Sequence, residues 1–587
     1  MGNRRITVYA LVAMLLAAGT VLRVVNLGAP AFCCDEFFDV FAARSWLAGD
    51  GYRVPGREYT RALLMTRLTA GSFALFGESE WSARLPSVLF GLATLPLVYV
   101  AGRWWFGRVA GLVALGLTAL SVHAIDVSRF ARLYSLLTLL LLGCALAVYR
   151  GLEGRGGDGP RLSPARFGWF AAAGILGLVA FTLHPVGVSI GVAIQVYVST
   201  LTVVMAVRGD AARARVYGFF AAAILLVEVV VFSIPELRNR LLQAALQPLP
   251  WYSYRPGDEW VHFRHLSATY GWVWYLVMPA TILLVAARLK AGLFLGLLFW
   301  LPLCVVSFVV ATKHPRYSVQ FLPFAWLILG GAAQVVAEGL ERRQEWPLLR
   351  RRPLPAAVTL LAVVAGLGAV LWLTPAFRQA ARRPLEATGT FTTGFFYDWR
   401  GTAGEIRGAL PPDVVVVSDM WHESIYYLDR EAYQLLAAHR QAGAGDWETP
   451  DRDYSEKIQG VSHLEALRAR RPVWVLASRE RWRSGRFFDV ALTQHVEATC
   501  TPVSAPAAGT FAVVFDCGGV TGAGDEPDVV QRLRVRQSLD PAISSPAALE
   551  GSPARTAGSA RDRGPSRTRP QRRQGDDVSL LAIERLA

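Results

Sequence analysis

The chain alternates between long apolar runs and short charged segments over residues 1–375. About eleven of these runs are roughly 17–22 residues long, close to the length that an α-helix needs to cross the hydrocarbon core of a bilayer. The predicted membrane helices are 6–25, 85–102, 109–127, 133–149, 167–183, 186–207, 216–234, 271–287, 291–311, 318–337 and 355–373. Because helices satisfy their own backbone polar groups in lipid, this pattern predicts a polytopic α-helical membrane protein.

Composition agrees with this fold class. Hydrophobic residues make up 53% of the 587 residues, and the mean hydropathy is +0.33. The net charge of +15 would be compatible with a nucleic-acid partner, but most cations lie in short loops or in the last stretch of the chain. We therefore expect no nucleic-acid binding. The first run follows Arg4-Arg5 and lacks a small-x-small cleavage site, which favours an uncleaved first helix over a signal peptide.

The charges of the loops predict how the helices are oriented. If the N-terminus is cytoplasmic, every short loop on the inner side is basic, as the positive-inside rule requires. These loops contain Arg103 and Arg108, residues 150–166, residues 208–215, Arg288 and Lys290, and residues 342–352. The acidic first loop, residues 26–84, then lies outside, as does everything after about residue 374. We expect a multi-pass protein of the cell (inner or plasma) membrane whose functional face is extracytoplasmic.

The pattern changes after the last predicted span. Short β-branched runs at 413–418, 472–478 and 510–517 predict buried strands with helical stretches between them. The expected organisation is a transmembrane domain at 1–375, a small extracytoplasmic α/β domain at 376–525 and a disordered tail at 526–587. Cys500 and Cys517 flank a turn-rich segment of the α/β domain, where a disulfide and two free thiols are equally compatible with the sequence.

Two adjacent carboxylates, Asp35 and Glu36, directly follow the first apolar run. Acids beside a bilayer are costly unless they do chemistry, bind an ion or meet a cation. The stretch "DEFFDVFAARSWLAG" has the spacing of a short amphipathic helix, on which Asp35 and Asp39 share one face while Glu36 points about 100° away. We therefore expect one carboxylate of the pair to face the reaction and the other to meet a structural or ionic partner.

Cations at two other helix ends are predicted on the same side of the membrane. Arg129 and Arg132 are three residues apart in "HAIDVSRFARLYSLL" and share a helix face. They would either bind phosphate or snorkel to lipid headgroups. Lys313, His314 and Arg316 form a second cluster, where the positive-inside rule predicts few cations.

Other residues at these helix ends carry weaker signals. Tyr317 is either part of the second cluster or an interfacial aromatic residue, and His184 at another outer helix end is more typical of a structural group. His262 and His265 are spaced for a metal but have no third ligand nearby, and "WHESIY" lacks the second histidine of a zinc protease. There is no Walker loop and no GxGxxG between a strand and a helix.

Four segments in this order resemble the GT-C superfamily of membrane glycosyltransferases. They are "DEFFDVFAARSWLAGDG", "FGESEWSARLPSVLFGLATLPLVYVAGRWWFGRVAGLVA", "SVHAIDVSRFARLYSLLTLLLL" and "KHPRYSVQFLPFAWLILGG". The resemblance covers roughly residues 5–340 and is nearest to the branch of protein O-mannosyltransferases, aminoarabinose transferases and rhizobial lipopolysaccharide glycosyltransferases. It implies a polyprenyl-phosphate sugar as donor and a reaction on the extracytoplasmic face.

The resemblance also implies roles for individual residues. Asp35 would be the general base that deprotonates the acceptor, with Glu36 as its motif partner. The donor phosphate would be bound by Arg129, Arg132, Lys313, Arg316 and Tyr317. His184 is a further candidate for binding substrate. Relatives often carry a His/Pro-Pro-Leu segment where this chain has "YTRALLMTRLT"; Glu58, just before it, would replace a metal or substrate ligand. A divalent metal is therefore an open possibility.

The predicted function is transfer of a sugar from a polyprenyl phosphate to an envelope glycan, lipid or protein, with inversion at the anomeric carbon. One alternative is a protein O-mannosyltransferase proper. Another, from a different class, is a flippase or transporter of lipid-linked sugars. Transporters often show paired repeats and broken helices at mid-membrane, neither of which is visible in this sequence.

Overall fold

The computed structural model describes most of the chain up to residue 519. The described residues are 2–33, 35–55, 57–153, 164–235, 238–239, 242, 258–310, 313–343, 366, 368–369, 372–382, 399–419, 421–430, 432–435, 457–458, 460–484, 487–503 and 512–519. The chain divides into two compact units, Met1–Gly522 and Ala523–Ala587, and every described residue belongs to the first. The predicted tail at 526–587 lies outside the described residues.

The membrane part is helical, as predicted. Its helices are α1 (Gly2–Val24), α2 (Glu36–Leu47), α3 (Leu63–Phe76), α4 (Glu80–Trp105), α5 (Arg108–Leu120), α6 (Val122–Ser128), α7 (Tyr134–Glu153), α8 (Pro164–Leu183), α9 (Val188–Val207), α10 (Ala211–Ser233), α11 (Val261–Tyr270), α12 (Trp272–Tyr275), α13 (Val277–Ala287), α14 (Leu289–Cys304) and α15 (Leu322–Arg343). One π-helical turn, Val305–Val309, extends α14, and 3₁₀ turns at Pro185–Gly187, Pro315–Tyr317 and Val319–Phe321 precede α9 and α15.

Among the described residues, eight helices are long and apolar enough to cross a membrane, or up to ten if each of two bent pairs counts as one span. These positions correspond to the first ten predicted spans, and the eleventh, 355–373, lies almost wholly outside the described residues. The expectation of unbroken helices is wrong within the predicted span 109–127, whereas the second bend lies at the start of the predicted span 271–287. One bend of 61° separates α5 from α6, and one of 119° separates α11 from α12 and α13.

A buried arginine explains how the first bend is tolerated. Where α5 ends, its last carbonyl groups have no helical partner, which is costly in lipid. Arg23 of α1, with 1% of its surface exposed, donates to the carbonyl oxygens of Thr118 and Ala119 at 3.1 and 3.0 Å. Its Nε also donates to the hydroxyl of Ser128 in α6 at 3.2 Å. Arg23 therefore joins both halves of the broken span to α1.

Close packing of α6 against α4 depends on one glycine. A Cβ on Gly91 would lie 2.1 Å from the Ser128 hydroxyl and 2.7 Å from its Cβ, so any side chain here would push the two helices apart. The turn that follows Ser128 carries Arg129 and Arg132. Gly91 thus fixes where this turn lies relative to the first loop.

The first loop folds over the bundle. It consists of α2, a short antiparallel hairpin of β1 (Arg53–Val54) and β2 (Arg57–Glu58), and α3. Helix α2 corresponds to the predicted amphipathic stretch. The phenylalanines of α2 form a buried cluster with aromatic residues of the C-terminal region.

The C-terminal region contains a six-stranded mixed sheet, β5-β4-β3-β6-β8-β7 in order. Its strands are β3 (Val415–Ser418), β4 (Ala432–Leu435), β5 (Lys457–Ile458), β6 (Val473–Ser478), β7 (Thr501–Pro502) and β8 (Ala512–Asp516), and its helices are α16 (Pro375–Arg382), α17 (Trp399–Ile406), α18 (Trp421–Leu428), α19 (Val461–Arg468), α20 (Arg479–Arg483) and α21 (Val490–Thr499). Strands β5, β4, β3 and β6 pair in parallel, and β8 is antiparallel to both β6 and β7. The three predicted strands are β3, β6 and β8.

Two local features of this region follow from side-chain chemistry. Cys500 and Cys517 form a disulfide across 17 residues, which decides between the two states that the sequence left open. In α19, the Glu465 carboxylate pairs with Arg468 at 2.6 Å and with His495 at 2.6 Å.

Candidate active site

Asp35 lies at the N-cap of α2, but its carboxylate does not cap that helix. The side chain points toward two arginines from different helix ends. Its Oδ2 lies 2.5 Å from a terminal nitrogen of Arg316, in the turn before α15, and 3.9 Å from one of Arg132, in the turn before α7. With 12% of its side chain exposed, Asp35 remains reachable from solvent. The fold therefore brings the three residues together from distant parts of the sequence.

A buried network holds Arg132 in this position. The other terminal nitrogen of Arg132, Nη1, donates to Asp39 Oδ2 at 2.8 Å and to the hydroxyl of Tyr59 at 2.9 Å. Thr66 donates to the other oxygen of Asp39 at 2.9 Å. Asp35 and Asp39 thus share a face of α2 and a partner, as the i,i+4 spacing predicts.

The charges of this network are set by burial and pairing. Burial raises the pKa of Asp39, although Arg132 and the Thr66 hydroxyl act in the opposite direction. Burial alone would lower the pKa of Arg132, but Tyr59, Asp39 and Asp35 together raise it well above its ordinary value. Arg132 therefore remains a cation beside Asp35.

Glu36 faces away from this cluster. It is fully buried and accepts two hydrogen bonds from Arg84 of α4, at 2.9 and 2.8 Å. The backbone N–H groups of Cys33 and Ala131 donate to the same carboxylate at 3.1 and 2.8 Å. Glu36 is therefore the structural member of the acidic pair, and its assignment as a catalytic residue is corrected here, because these contacts leave it no access to a substrate.

Arg129 is not placed to bind a donor phosphate. Its terminal nitrogens donate to the carbonyl oxygens of Leu22, Arg23, Val25 and Asn26, at distances between 2.6 and 3.4 Å. These carbonyls belong to the C-terminal end of α1, where a cation is favourable to the helix dipole. Neither predicted alternative, phosphate binding or snorkelling, describes this contact.

Lys313 has a similar role at the end of the π-helical turn. Its ammonium group donates to the carbonyl oxygens of Ser307 and Val310 at 2.5 and 2.6 Å. The residue is 5% exposed. Within the predicted Lys313–Arg316 cluster, Arg316 pairs with Asp35, and Lys313 caps the π-helical turn.

An aromatic wall surrounds Arg316. Its guanidinium lies 5.8 Å from the ring centre of Tyr134 and 6.0 Å from that of Tyr317. The ring of His184 lies 5.3 Å from that of Tyr317. Tyr317 and His184 thus lie beside Arg316.

His184 is held as a neutral ring. Its Nδ1 accepts a hydrogen bond from the backbone N–H of Val186 at 3.1 Å. Burial and the charges of Arg316, Arg61 and Arg132 lower its pKa to about 3. The ring therefore presents no positive charge to the site at neutral pH.

This pKa shift predicts that acid destabilises the protein. An unfolded histidine takes up a proton near pH 6.5, whereas His184 in the folded protein does so only near pH 3. The unfolded state binds more protons in this window, so stability falls as the pH falls from about 6.5, by up to about 1.4 kcal/mol per pH unit. Melting temperatures in detergent between pH 7.5 and 5 measure this slope. His184→Asn, which retains an acceptor for Val186, should flatten it; an equally steep slope would refute the assignment.

The hairpin before α3 contributes residues that sequence reasoning missed. The side chain of Glu58 is exposed, whereas the neighbouring Tyr59 is 4% exposed and reaches Arg132. Because successive side chains of a strand point to opposite faces, strand periodicity could have assigned Glu58 and Tyr59 to different sides. The structure therefore places Tyr59, and not Glu58, against Arg132.

Arg61 is the second missed residue. It is exposed, yet it is close enough to His184 for its charge to lower the pKa of that ring. The next residue, Ala62, adopts φ 47°, ψ 39°, a left-handed conformation that is unfavourable for alanine. The sequence feature that could have identified Arg61 is a cation on the predicted acidic side of the membrane, the same feature that singled out Arg316.

The histidines with metal-like spacing take part in a different arrangement. His265 lies 2.8 Å from His123, ring nitrogen to ring nitrogen, and His123 lies 2.8 Å from the Tyr270 hydroxyl. Across the described part of the chain, no group of three or more His, Cys, Asp or Glu side chains is arranged to hold a metal ion.

Comparison with known proteins agrees with this architecture. Residues 60–234 match the family described as dolichyl-phosphate-mannose-protein mannosyltransferase. A search among curated proteins finds no significant match. Solved structures that resemble the chain include ArnT from Cupriavidus metallidurans in the apo state, with a TM-score of 0.54 at 18% identity over 87% of this chain and 99% of that one.

Two further structures show the same fold. ArnT from Cupriavidus metallidurans bound to undecaprenyl phosphate has a TM-score of 0.51 at 17% identity, over 87% of this chain and 99% of that one. The oligosaccharyltransferase of Archaeoglobus fulgidus in the apo form has a TM-score of 0.56 at 12% identity, over 89% of this chain and 75% of that one. The resemblance to GT-C membrane glycosyltransferases is thereby confirmed at the level of the fold.

Proposed function

We propose that this protein is an integral-membrane glycosyltransferase that uses a polyprenyl-phosphate sugar and an acceptor outside the cytoplasm. The observation that carries the proposal is the contact of Asp35 with Arg316 and Arg132 at adjoining helix ends. A solvent-accessible carboxylate beside cations suits a reaction that removes a proton and releases an anion.

The proposed step is an inverting displacement. Asp35 takes the proton of the acceptor hydroxyl, whose oxygen forms a bond to the anomeric carbon of the sugar. The bond from that carbon to the phosphate oxygen breaks, and the lipid phosphate leaves with the electron pair. Arg316 pairs with Asp35 before the donor binds; a phosphate would compete for Arg316 and leave the carboxylate available as a base.

The choice of donor is supported by the position of the cations and by a relative. Arg316 lies in a turn at the start of a membrane span, where it would meet the phosphate of a lipid whose chain remains in the bilayer. ArnT from Cupriavidus metallidurans was solved bound to undecaprenyl phosphate. The acceptor class stays open, and the family match over residues 60–234 keeps a protein acceptor as the second candidate.

The disulfide supports an extracytoplasmic location of the C-terminal region, because disulfides persist in oxidising compartments. In intact cells or spheroplasts, a membrane-impermeant maleimide should label Cys500 and Cys517 only after treatment with a reductant. Labelling without reductant would indicate free thiols. Labelling only after the membrane is opened would place the region inside and invert the proposed orientation.

Arg61 is proposed to help bind the donor phosphate, since it is an exposed cation whose charge, like that of Arg316, lowers the pKa of His184. Arg61→Ala should weaken donor binding by about tenfold, as loss of one charge-assisted hydrogen bond would. Arg53→Ala is the matched control, because it removes an exposed arginine from the same loop. Binding of a polyprenyl phosphate measured on both variants decides the assignment; equal affinities would remove Arg61 from the site.

Transfer of labelled sugar by the purified protein tests the proposed function. A panel of synthetic polyprenyl-phosphate monosaccharides would be supplied in detergent together with envelope extract. Label in glycan or lipid supports the main proposal, and label in protein supports the O-mannosyltransferase alternative. Donor binding without transfer from any member of the panel would favour a flippase.

A further inference from the structure

The C-terminal α/β region contacts the chain on both sides of Asp35. We propose that this region is a working part of the active site and that Tyr427 of α18 is a positioning residue for the Asp35 carboxylate. The proposal rests on the function assigned to Asp35 above, but the contacts that carry it are independent of that assignment.

On the N-terminal side, Tyr427 fixes the segment that leads to Asp35. The backbone N–H of Phe32 donates to its hydroxyl oxygen at 2.6 Å, and the hydroxyl donates to Glu80 Oε1 at 3.0 Å. Arg400 of α17 also contacts Glu80 at 3.1 Å. Its other donors reach the carbonyl oxygens of Gly28 and Ala29, at 3.1 and 2.5 Å.

On the C-terminal side, α18 packs against the first turn of α2. Phe37 contacts the rings of His422, Tyr426 and Tyr427, with centres 6.2, 5.7 and 6.1 Å apart. Phe38 contacts His422 at 4.7 Å. The same Phe38 ring stacks on Tyr59 at 6.3 Å, and Tyr59 binds Arg132.

Residues 25–33 form turns and irregular backbone, without the regular hydrogen bonds of a helix or strand. Their position therefore depends on contacts with other parts of the protein. Arg84 holds this segment from the membrane side through the carbonyl oxygens of Leu27, Pro30 and Ala31. Tyr427 and Arg400 hold it from the opposite side. A general base must lie within hydrogen-bond reach of its proton, and an error of about 1 Å can cost on the order of a hundredfold in rate.

Tyr427→Phe isolates this effect, because it removes the hydroxyl and leaves the ring packing in place. Tyr426→Phe is the matched control: the neighbouring hydroxyl interacts with Glu78 instead. We expect Tyr427→Phe to reduce kcat by about tenfold or more with an unchanged KM for the donor, because it displaces the base but not the cations. Tyr426→Phe should stay within about twofold of the wild type.

A second readout does not depend on activity. Cys33 is buried, next to Phe32 and two residues before Asp35. In a Cys34→Ser background, maleimide should label Cys33 faster in Tyr427→Phe than in Tyr426→Phe, at equal melting temperature. If the wild-type protein transfers no sugar, the proposed function fails. The labelling rate of Cys33 still tests whether Tyr427 holds residues 25–33 in place.

Each other outcome contradicts the proposal. If maleimide labels Cys33 in Tyr427→Phe at the wild-type rate, Tyr427 does not hold the segment. If labelling is faster but kcat is unchanged, the segment does not position the base. If Tyr427→Phe fails to fold, Arg400→Gln takes its place, since Arg400 lies at the exposed rim. The same combination of faster labelling and lower kcat is then expected, and its absence overturns the proposal.

Discussion

Asp35→Asn should abolish measurable sugar transfer, with a loss of about 10²–10⁴-fold, because asparagine cannot accept the acceptor's proton. The amide has nearly the same size as the carboxylate, so the fold and donor binding should remain close to wild type. Initial rates of transfer from the polyprenyl-phosphate sugar that the panel selects, together with donor affinity, measure the two effects separately.

Glu58→Gln is the matched control for this substitution. It makes the same carboxylate-to-amide change in the same loop, on a side chain that the structure places in solvent, and it should leave the rate within about twofold of wild type. Asp35→Asn with activity within a few-fold of wild type would remove Asp35 as the base. A large loss in Glu58→Gln would restore that residue as a candidate ligand.

Arg84→Ala should prevent the protein from accumulating in a folded state. Arg84 and Glu36 are almost completely buried and lie 2.8 Å apart, so removing the arginine leaves an uncompensated buried carboxylate. Such a loss typically costs about 3–5 kcal/mol. The substitution also leaves three loop carbonyls without their donor. Yield of monodisperse protein and melting temperature in detergent measure the effect.

The ion pair of Arg44 with Glu78 provides the comparison. Its atoms lie 2.6 Å apart, but the two side chains are 49% and 28% exposed. Because water screens exposed charges, Glu78→Ala should change stability by less than about 1 kcal/mol. Similar losses in Arg84→Ala and Glu78→Ala would contradict the structural role assigned to the buried pair.

Cations were the hardest residues to assign from sequence. Arg129 and Lys313 were expected at the donor phosphate, yet both bind carbonyl oxygens at helix ends. Arg23 and Arg84, which the sequence analysis did not single out, do the same inside the bundle. The sequence shows that a cation lies near a helix end. It does not show whether the side chain points toward Asp35 or toward carbonyl groups that lack a helical partner.

The carboxylates were more predictable, because helical periodicity separates their directions within a few residues. The spacing of Asp35, Glu36 and Asp39 predicts two faces, and the structure places one against Arg132 and the other against Arg84. Helical spacing alone does not say which face meets Arg84 of α4, which lies 48 residues from Glu36 in sequence.

The sequence by itself determined the polytopic helical class, the positions of the first ten spans and three strands of the C-terminal region. All of these follow from local periodicity and from the cost of burying polar groups in lipid. Only the tertiary structure decided that Arg316 joins Asp35, that Tyr59 contacts Arg132, and that the C-terminal region contacts the segment before Asp35. These contacts join residues that are tens to hundreds of positions apart in sequence. Long-range packing brings them together, and local sequence patterns do not report it.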